Sequence, residues 1–196
     1  MQRSLQSIER SSHHQPALRG ILRGLVEPAT GGGRSPRPGR GAQGFALFVS
    51  LAACFGAGAI GGLLTADAVE TWYQTLVKPT WTPPSWLFGP VWSALYLMMA
   101  VSAWLVWRRL PGRLNRVPLT FFAVQLVLNV LWSGLFFGLR LPGAAAIEIV
   151  ALWLAVVATA IVFWRVSAVA GWLFVPYILW VSFATALNFA IWWLNA

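Results

Sequence analysis

Five long hydrophobic runs, separated by short polar breaks, set the strongest limit on what this chain can fold into. The runs cover residues 45–66, 86–107, 119–139, 144–164 and 172–194. Each has about the 20 apolar residues that a helix needs to cross the hydrocarbon core of a bilayer. The runs are continuous and rich in Leu, Ala and Val, whereas the strands of a membrane β-barrel alternate between apolar and polar residues. The pattern therefore predicts an all-α membrane protein with a bundle of five transmembrane helices.

The composition agrees with a chain that lies in lipid. Hydrophobic residues make up 58% of the sequence and charged residues 10%, whereas soluble domains contain about 25% charged residues. This excludes an ordinary cytosolic enzyme and a disordered chain. The net charge of +9 would suit a nucleic-acid partner, but the cations lie in the N-terminal tail and in the breaks between runs. We therefore predict the lipid bilayer as a partner and no nucleic acid.

The positions of the lysines and arginines predict the orientation in the membrane. Twelve fall on one side, of which seven precede residue 41, four lie in the break after the second run, and one is Arg165. Lys78 and Arg140 fall on the other side. Because cytoplasmic loops carry the excess of Lys and Arg, the pattern predicts a cytoplasmic N-terminus and a C-terminus on the opposite side.

Residues 1–43 differ in composition from residues 44–196, which form the predicted membrane domain. The first part is rich in Gly, Ser, Pro, Arg and Gln and includes a run of three glycines at 31–33. It has no segment apolar enough to be buried, so we predict a disordered, basic N-terminal extension. A short amphipathic helix over residues 17–26 or a targeting segment are alternatives for this region.

The sequence provides few residues for catalysis or metal binding. Cys54 is the single cysteine, and His13 and His14 both lie in the extension, so no metal site and no cofactor are predicted. Glu148 is an intramembrane carboxylate near the start of the fourth run. Because it lies close to the interface, we interpret it as a structural residue that reaches water.

The loop between the first two runs has an unusual composition. From residue 72 to residue 92 it contains Pro79, Pro83 and Pro84 together with four tryptophans and a tyrosine. One interpretation is an interfacial aromatic belt, which suits Trp72 and Trp81. The alternative is a stiff lid over a cavity between helices, of the kind that binds flat apolar ligands.

Three sets of residues at helical spacing predict inward faces. Gln125, Asn129 and Ser133 share one face of the third run, which must face inward because amides are costly in lipid. Two aromatic stripes would face each other across the bundle, on the second and fifth runs: Trp92, Tyr96 and Met99; Tyr177, Trp180, Ala184 and Asn188. They could form a chamber for a planar ligand or simply pack together. Two GxxxG motifs, Gly58–Gly62 and Gly134–Gly138, favour close helix contacts within the bundle or in a dimer.

The sequence resembles the TspO/MBR family, the tryptophan-rich sensory or translocator proteins. The resemblance begins with a string that contains Lys78, Pro79, Trp81, Pro83, Pro84, Trp86, Phe88, Gly89, Pro90, Val91 and Trp92. It continues through Gln125, Asn129, Trp132, Phe136, Phe137, Gly138, Pro176, Tyr177, Trp180, Leu187, Asn188 and Phe189. It covers all five runs in order, from about residue 45 to residue 194.

The resemblance implies a five-helix bundle, often a homodimer, that acts as a membrane receptor or carrier for tetrapyrroles such as protoporphyrin IX. The ligand chamber lies beneath the loop between the first two helices. By motif match it would contain Trp92, Tyr96, Asn129, Trp180, Ala184 and Asn188, and we add Trp72, Trp81 and Tyr177 as candidate ligand-binding residues. A tetrapyrrole would be a ligand rather than a cofactor.

Two alternatives to a receptor remain open. Some family members degrade porphyrin in light, in which case Trp92 and Trp180 would be the catalytic residues. The other alternative is a transporter or interaction subunit without turnover. The family's sterol motif is broken here, because Phe189 replaces its tyrosine and Trp193 its arginine, so we expect a tetrapyrrole rather than a sterol. A bacterial membrane, the mitochondrial outer membrane and a plant or algal endomembrane all suit this chain.

Overall fold

Five long helices make up most of the part of the chain that the structure describes. The structure, a computed structural model, describes residues 39–110 and 112–196. The helices are α1 (Arg40–Glu70), α2 (Phe88–Trp107), α3 (Arg116–Ser133), α4 (Pro142–Val166) and α5 (Val175–Leu194). Each belongs to a helical segment that is long and apolar enough to cross a membrane. The prediction of an all-α protein with five membrane helices is confirmed, and the N-in, C-out orientation stays a prediction.

Helix α1 begins before the predicted boundary of the membrane domain. It starts at Arg40, so residues 40–43 are helical rather than part of a disordered extension. One contact that holds this first turn is a hydrogen bond of 3.0 Å from Trp104 Nε1 of α2 to the Gln43 carbonyl oxygen. The remainder of the predicted extension, residues 1–38, lies outside the described residues.

Short elements connect the long helices. The connection between α1 and α2, residues 71–87, is here called the first loop; it contains a short helix at Trp72–Thr75 and a 3₁₀ turn at Ser85–Leu87. A π-helical turn, Gly134–Gly138, extends α3, and the short helix Ala168–Trp172 precedes α5. The first loop, the turn after α3 and the C-terminus lie at one end of the bundle, which we call the loop end.

A chain of buried hydrogen bonds joins three helices and is called here the polar brace. The Tyr96 hydroxyl of α2 donates to Asn129 Oδ1 of α3 at 2.7 Å, and Asn129 Nδ2 donates to the Tyr177 hydroxyl of α5 at 3.1 Å. Gln125 is fully buried one turn away from Asn129. The predicted inward direction of the Gln125 and Asn129 face is therefore confirmed.

Glycines bring α1 close to its neighbours. A Cβ atom at Gly58 would lie 2.6 Å from Tyr96 Cε2, whereas one at Gly62 would meet no atom within 4 Å. At Gly134 and Gly138 it would lie 3.8 and 3.9 Å from Leu64 of α1. Three of the four GxxxG glycines thus face neighbouring helices, and a role of either motif in dimerisation stays a prediction.

Two further features of the core complete the description. At the end opposite the loop end, Phe122, Phe163 and Phe174 pack together with ring centroids 5.3–6.5 Å apart, and we call them the phenylalanine cluster.

The expectation that Glu148 reaches water is wrong. Both of its carboxylate oxygens are buried and have no hydrogen-bond partner among the described residues, because α4 turns this side chain toward the bundle.

Candidate ligand-binding site

A small cavity of about 30 Å³, part of it open to the outside, lies at the loop end of the bundle. Its walls come from the first loop, the start of α2, the end of α3 with its π turn, and α5. The lining residues are Tyr73, Phe88, Trp132, Phe136, Phe137, Trp180, Phe183, Ala184, Leu187, Asn188 and Ile191. A wall of aromatic and aliphatic side chains with a few polar groups is typical of small-molecule sites, but such sites have volumes of about 300–1,000 Å³ and this cavity is much smaller.

Helix α5 supplies the predicted residues that the structure brings together. Trp180, Ala184 and Asn188 all line the cavity. The Trp180 ring meets Phe88 edge-on at 5.7 Å and lies 5.6 Å from Phe183. Ala184 has a small side chain between larger neighbours and so leaves space in this wall. Three of the four residues in the predicted stripe on the fifth run therefore lie in this wall, beside residues that the spacing did not predict.

The π turn at the end of α3 builds the opposite wall. The Leu139 amide donates to the Gly134 carbonyl oxygen at 2.7 Å, which closes a turn one residue wider than that of an α-helix. As a result, the consecutive residues Phe136 and Phe137 both line the cavity, with ring centroids 4.7 Å apart. Single π turns of this kind occur frequently at functional sites.

The amide of Asn188 is the polar group at the centre of the site. Its Oδ1 accepts a hydrogen bond of 3.0 Å from Trp132 Nε1, and its Nδ2 donates to the Pro142 carbonyl oxygen at 2.9 Å. These bonds join α3, α4 and α5 beside the cavity. The Tyr73 side chain enters from the first loop, where burial raises the pKa of its hydroxyl, so the phenol is neutral at physiological pH.

Four other predicted residues form a group further from the loop end. Trp92 lies 5.4 Å from the Tyr96 ring and 6.1 Å from the Tyr177 ring. Tyr96, Asn129 and Tyr177 are the members of the polar brace. None of the four lines the cavity. The structure thus separates the predicted set into a cavity wall and a deeper polar group, and contact of that group with a ligand stays a prediction.

Trp72 and Trp81 lie above the cavity. Trp72 is half-buried and meets Phe136 edge-on at 5.8 Å. Trp81 is 48% exposed and meets Phe183 edge-on at 5.7 Å. Both rings therefore contact residues of the cavity wall from the first loop, which is the arrangement that the lid interpretation requires.

Sequence reasoning missed eight of the lining residues: Tyr73, Phe88, Trp132, Phe136, Phe137, Phe183, Leu187 and Ile191. A signal was present for some of them. Trp132 follows Asn129 by three positions, and Leu187 and Ile191 extend the spacing that begins at Trp180 and Ala184. Phe136 and Phe137 gave no such signal, because only the π turn places both in the wall.

The wall of the cavity contains no charged side chain. Within residues 39–110 and 112–196, no three His, Cys, Asp or Glu side chains come together as a group that could hold a metal ion. On the first loop, Lys78 Nζ donates to the Tyr73 carbonyl oxygen at 2.7 Å and lies 4.7 Å from the centre of the Tyr73 ring. The arrangement is therefore suited to binding a flat apolar molecule by burial and ring stacking.

Comparisons with known proteins agree with this architecture. The sequence model of the TspO/MBR family matches residues 50–194. The chain is 45% identical to the tryptophan-rich protein TspO of Archaeoglobus fulgidus over 76% of this chain and 97% of that protein. It is 43% identical to protein CrtK of Rhodobacter capsulatus, over 77% and 92% of the two chains. It is 39% identical to the human translocator protein, over 77% and 88%. This integral, multi-pass membrane protein therefore belongs to the TspO/MBR family.

Proposed function

We propose that the protein is a membrane receptor or carrier that binds a tetrapyrrole of the protoporphyrin IX type in the cavity beneath the first loop. The observation that carries the proposal is that Trp180, Ala184 and Asn188, placed in the ligand chamber by resemblance, line one aromatic cavity. The walls present flat ring surfaces together with the Tyr73 hydroxyl and the Asn188 amide, which is bonded to Trp132 and Pro142. A planar conjugated ligand is the chemical class that such walls favour.

The size of the cavity places a condition on the proposal. Its volume of about 30 Å³ is far below the roughly 300–1,000 Å³ of ligand pockets. A tetrapyrrole macrocycle is large and rigid, so it requires the first loop to move outward as it binds. The walls of α3 and α5 are joined by the hydrogen bond between Trp132 and Asn188. We therefore expect the first loop, rather than these helices, to move.

The proposal is tested by titrating protoporphyrin IX into the purified protein and measuring the quenching of the fluorescence of its 13 tryptophans. The decisive variant is Ala184→Leu, which fills the space beside Trp180 and should abolish saturable quenching. Ala186→Leu is the matched control, because Ala186 is exposed two residues away on the same helix and should leave the affinity unchanged.

Three outcomes separate the alternatives. Saturable quenching without a new absorbing product supports the receptor or carrier. New products that form in light and depend on Trp92 or Trp180 would instead support a porphyrin-degrading enzyme. An Ala184→Leu protein that folds and binds as tightly as the parent would place the ligand outside this cavity.

A further inference from the structure

Asn195 ends helix α5 with a side-chain amide whose hydrogen-bonding groups are all used. Its Nδ2 donates to the Ile191 carbonyl oxygen of the last turn at 2.7 Å, which satisfies one of the carbonyls that the helix end leaves open. The same Nδ2 donates to the Val77 carbonyl oxygen at 2.9 Å, and its Oδ1 accepts from the Val77 amide at 2.9 Å. The bond to Ile191 holds the amide in position for the pair of bonds to Val77.

The pair of bonds to Val77 fastens the first loop to a residue 118 positions away in sequence. The backbone of Val77 offers one N–H donor and one C=O acceptor. A primary amide can pair with both, because it has an acceptor oxygen and a donor nitrogen, whereas a carboxylate lacks the donor and an amine lacks the acceptor. Val77 is 57% exposed, so the pair lies at the surface, where water competes for these groups. Because water can replace these hydrogen bonds, the loop can open at a modest cost in free energy.

The other attachments of the loop differ from this one. Lys78 is held within the loop itself, through its bond to the Tyr73 carbonyl oxygen. Thr82 closes a local turn on the Pro79 carbonyl oxygen through its amide and its hydroxyl. Trp81 reaches α5 through the contact of its ring with Phe183. The Asn195 amide is thus the directional, polar attachment between the loop and α5, and neither Asn195 nor Val77 lines the cavity.

We propose that Asn195 is a positioning residue that latches the first loop over the cavity and sets how fast a ligand enters. This inference rests on the proposed function, because it assumes that the cavity takes a ligand. The two bonds to Val77 hold the loop in its closed position, whereas a bound tetrapyrrole requires the loop to lie further out, so the latch stabilises the protein only when no ligand is bound. Its removal should therefore speed association and raise the affinity by a similar factor, and leave the rate of dissociation nearly unchanged.

The size of the effect follows from the two exposed hydrogen bonds. Each contributes a modest net amount, so together they change the opening equilibrium by about tenfold. We expect Asn195→Leu, which keeps the approximate size of the side chain, to raise the association rate constant for protoporphyrin IX by about tenfold. Gln74→Leu is the matched control: it also removes an exposed amide of the first loop, but that amide bonds locally to the Val69 carbonyl oxygen at 3.0 Å.

A second variant removes the latch from the side of the loop and leaves the cap of α5 intact. Val77→Pro deletes the amide that donates to Asn195 Oδ1. The preceding residue, Leu76, is already extended at φ −72° and ψ 143°, as a residue before proline must be. Because one of two bonds is lost, we expect the association rate constant to rise by about threefold. If Asn195→Leu fails to fold, Val77→Pro still tests whether the Asn195 latch holds the first loop.

Loop mobility is measured separately from ligand binding. Thr80 is exposed on the first loop, and the native Cys54 is fully buried, so a spin label on Thr80→Cys reports on the loop alone. Electron paramagnetic resonance should show a more mobile label in the Asn195→Leu and Val77→Pro proteins and no change in Gln74→Leu. Stopped-flow quenching with protoporphyrin IX then gives the two rate constants.

The two measurements keep the latch and the proposed function apart. An immobile label in both latch variants overturns the latch, whether or not protoporphyrin IX binds. A mobile label with no quenching in the parent protein supports the fastening of the loop and contradicts the proposed function. A faster dissociation without a faster association, with a matching loss of affinity, would mean that Asn195 acts on the bound ligand, and it would overturn a latch that acts on the loop.

Discussion

The close approach of Gly58 to Tyr96 provides a sharp test of how the bundle is packed. In Gly58→Ala the new Cβ atom would lie 2.6 Å from Tyr96 Cε2 and 2.9 Å from Cδ2. The Tyr96 ring cannot turn away freely, because its hydroxyl is bonded to Asn129 at 2.7 Å and its face lies 5.4 Å from the Trp92 ring. Helix α1 must therefore move outward, or the polar brace must be distorted.

The magnitude comes from two opposing effects. Overpacking of this kind costs about 1–3 kcal/mol, whereas replacing glycine by alanine inside a helix gains up to about 1 kcal/mol. Gly62→Ala is the matched control, because it makes the same change one turn further along α1 with no atom within 4 Å. The gain in helix propensity is common to both variants, so the difference between them isolates the cost of the clash, about 1–3 kcal/mol.

Thermal unfolding in detergent measures this difference. For a chain of this size, 1 kcal/mol corresponds to about 2–4 °C in Tm. We expect Gly58→Ala to unfold about 2–12 °C below Gly62→Ala, with Gly62→Ala at or above the parent protein. Equal melting temperatures for the two alanine variants, or a Gly58→Ala protein that is the more stable one, would refute the argument that Tyr96 is fixed against α1.

Three further predictions address the site and the topology. Trp180→Phe and Trp92→Phe should each weaken protoporphyrin IX binding by about threefold to tenfold, since a stacked aromatic pair contributes about 0.5–1.5 kcal/mol; an unchanged Kd in fluorescence titration would exclude the replaced ring from the site. Trp132→Phe should lower Tm by a few degrees, because Asn188 Oδ1 loses its donor and interhelical hydrogen bonds in membranes contribute about 0.6 kcal/mol and at most about 1.7 kcal/mol; a Tm at or above that of the parent would mean that this bond adds nothing to stability. Reporter fusions at the two termini should place the N-terminus in the cytoplasm and the C-terminus on the other side, and a C-terminal reporter active in the cytoplasm would contradict this orientation.

The sequence predicts the helices of this protein well because each requirement for them is local. A run of about 20 apolar residues must be a helix in lipid, and the inward direction of Asn129 follows from the cost of an amide in contact with lipid. The α5 wall of the site could be predicted for the same reason. Trp180, Ala184 and Asn188 lie on one regular helix, so their spacing alone places them on a common face.

The remaining parts of the site depend on departures from regular helical geometry and on contacts between distant segments. Phe136 and Phe137 both line the cavity because of a π turn. The periodicity of the sequence does not predict such a turn. The pairing of Asn195 with Val77 joins residues 118 positions apart, and the burial of Glu148 depends on how α4 is rotated. None of these can be read from hydropathy, since each is decided by tertiary packing.

The phenylalanine cluster at the end opposite the cavity has a consequence for the direction of ligand traffic. Phe122, Phe163 and Phe174 belong to the segments of α3, α4 and α5, and each ring is at most 7% exposed. A conduit from the cavity to the far side of the membrane would have to separate these three rings and break the polar brace that lies before them. Release of the first loop needs neither change. A ligand bound in the cavity as proposed would therefore leave by the side from which it entered, while the three rings continue to close the far end of the bundle.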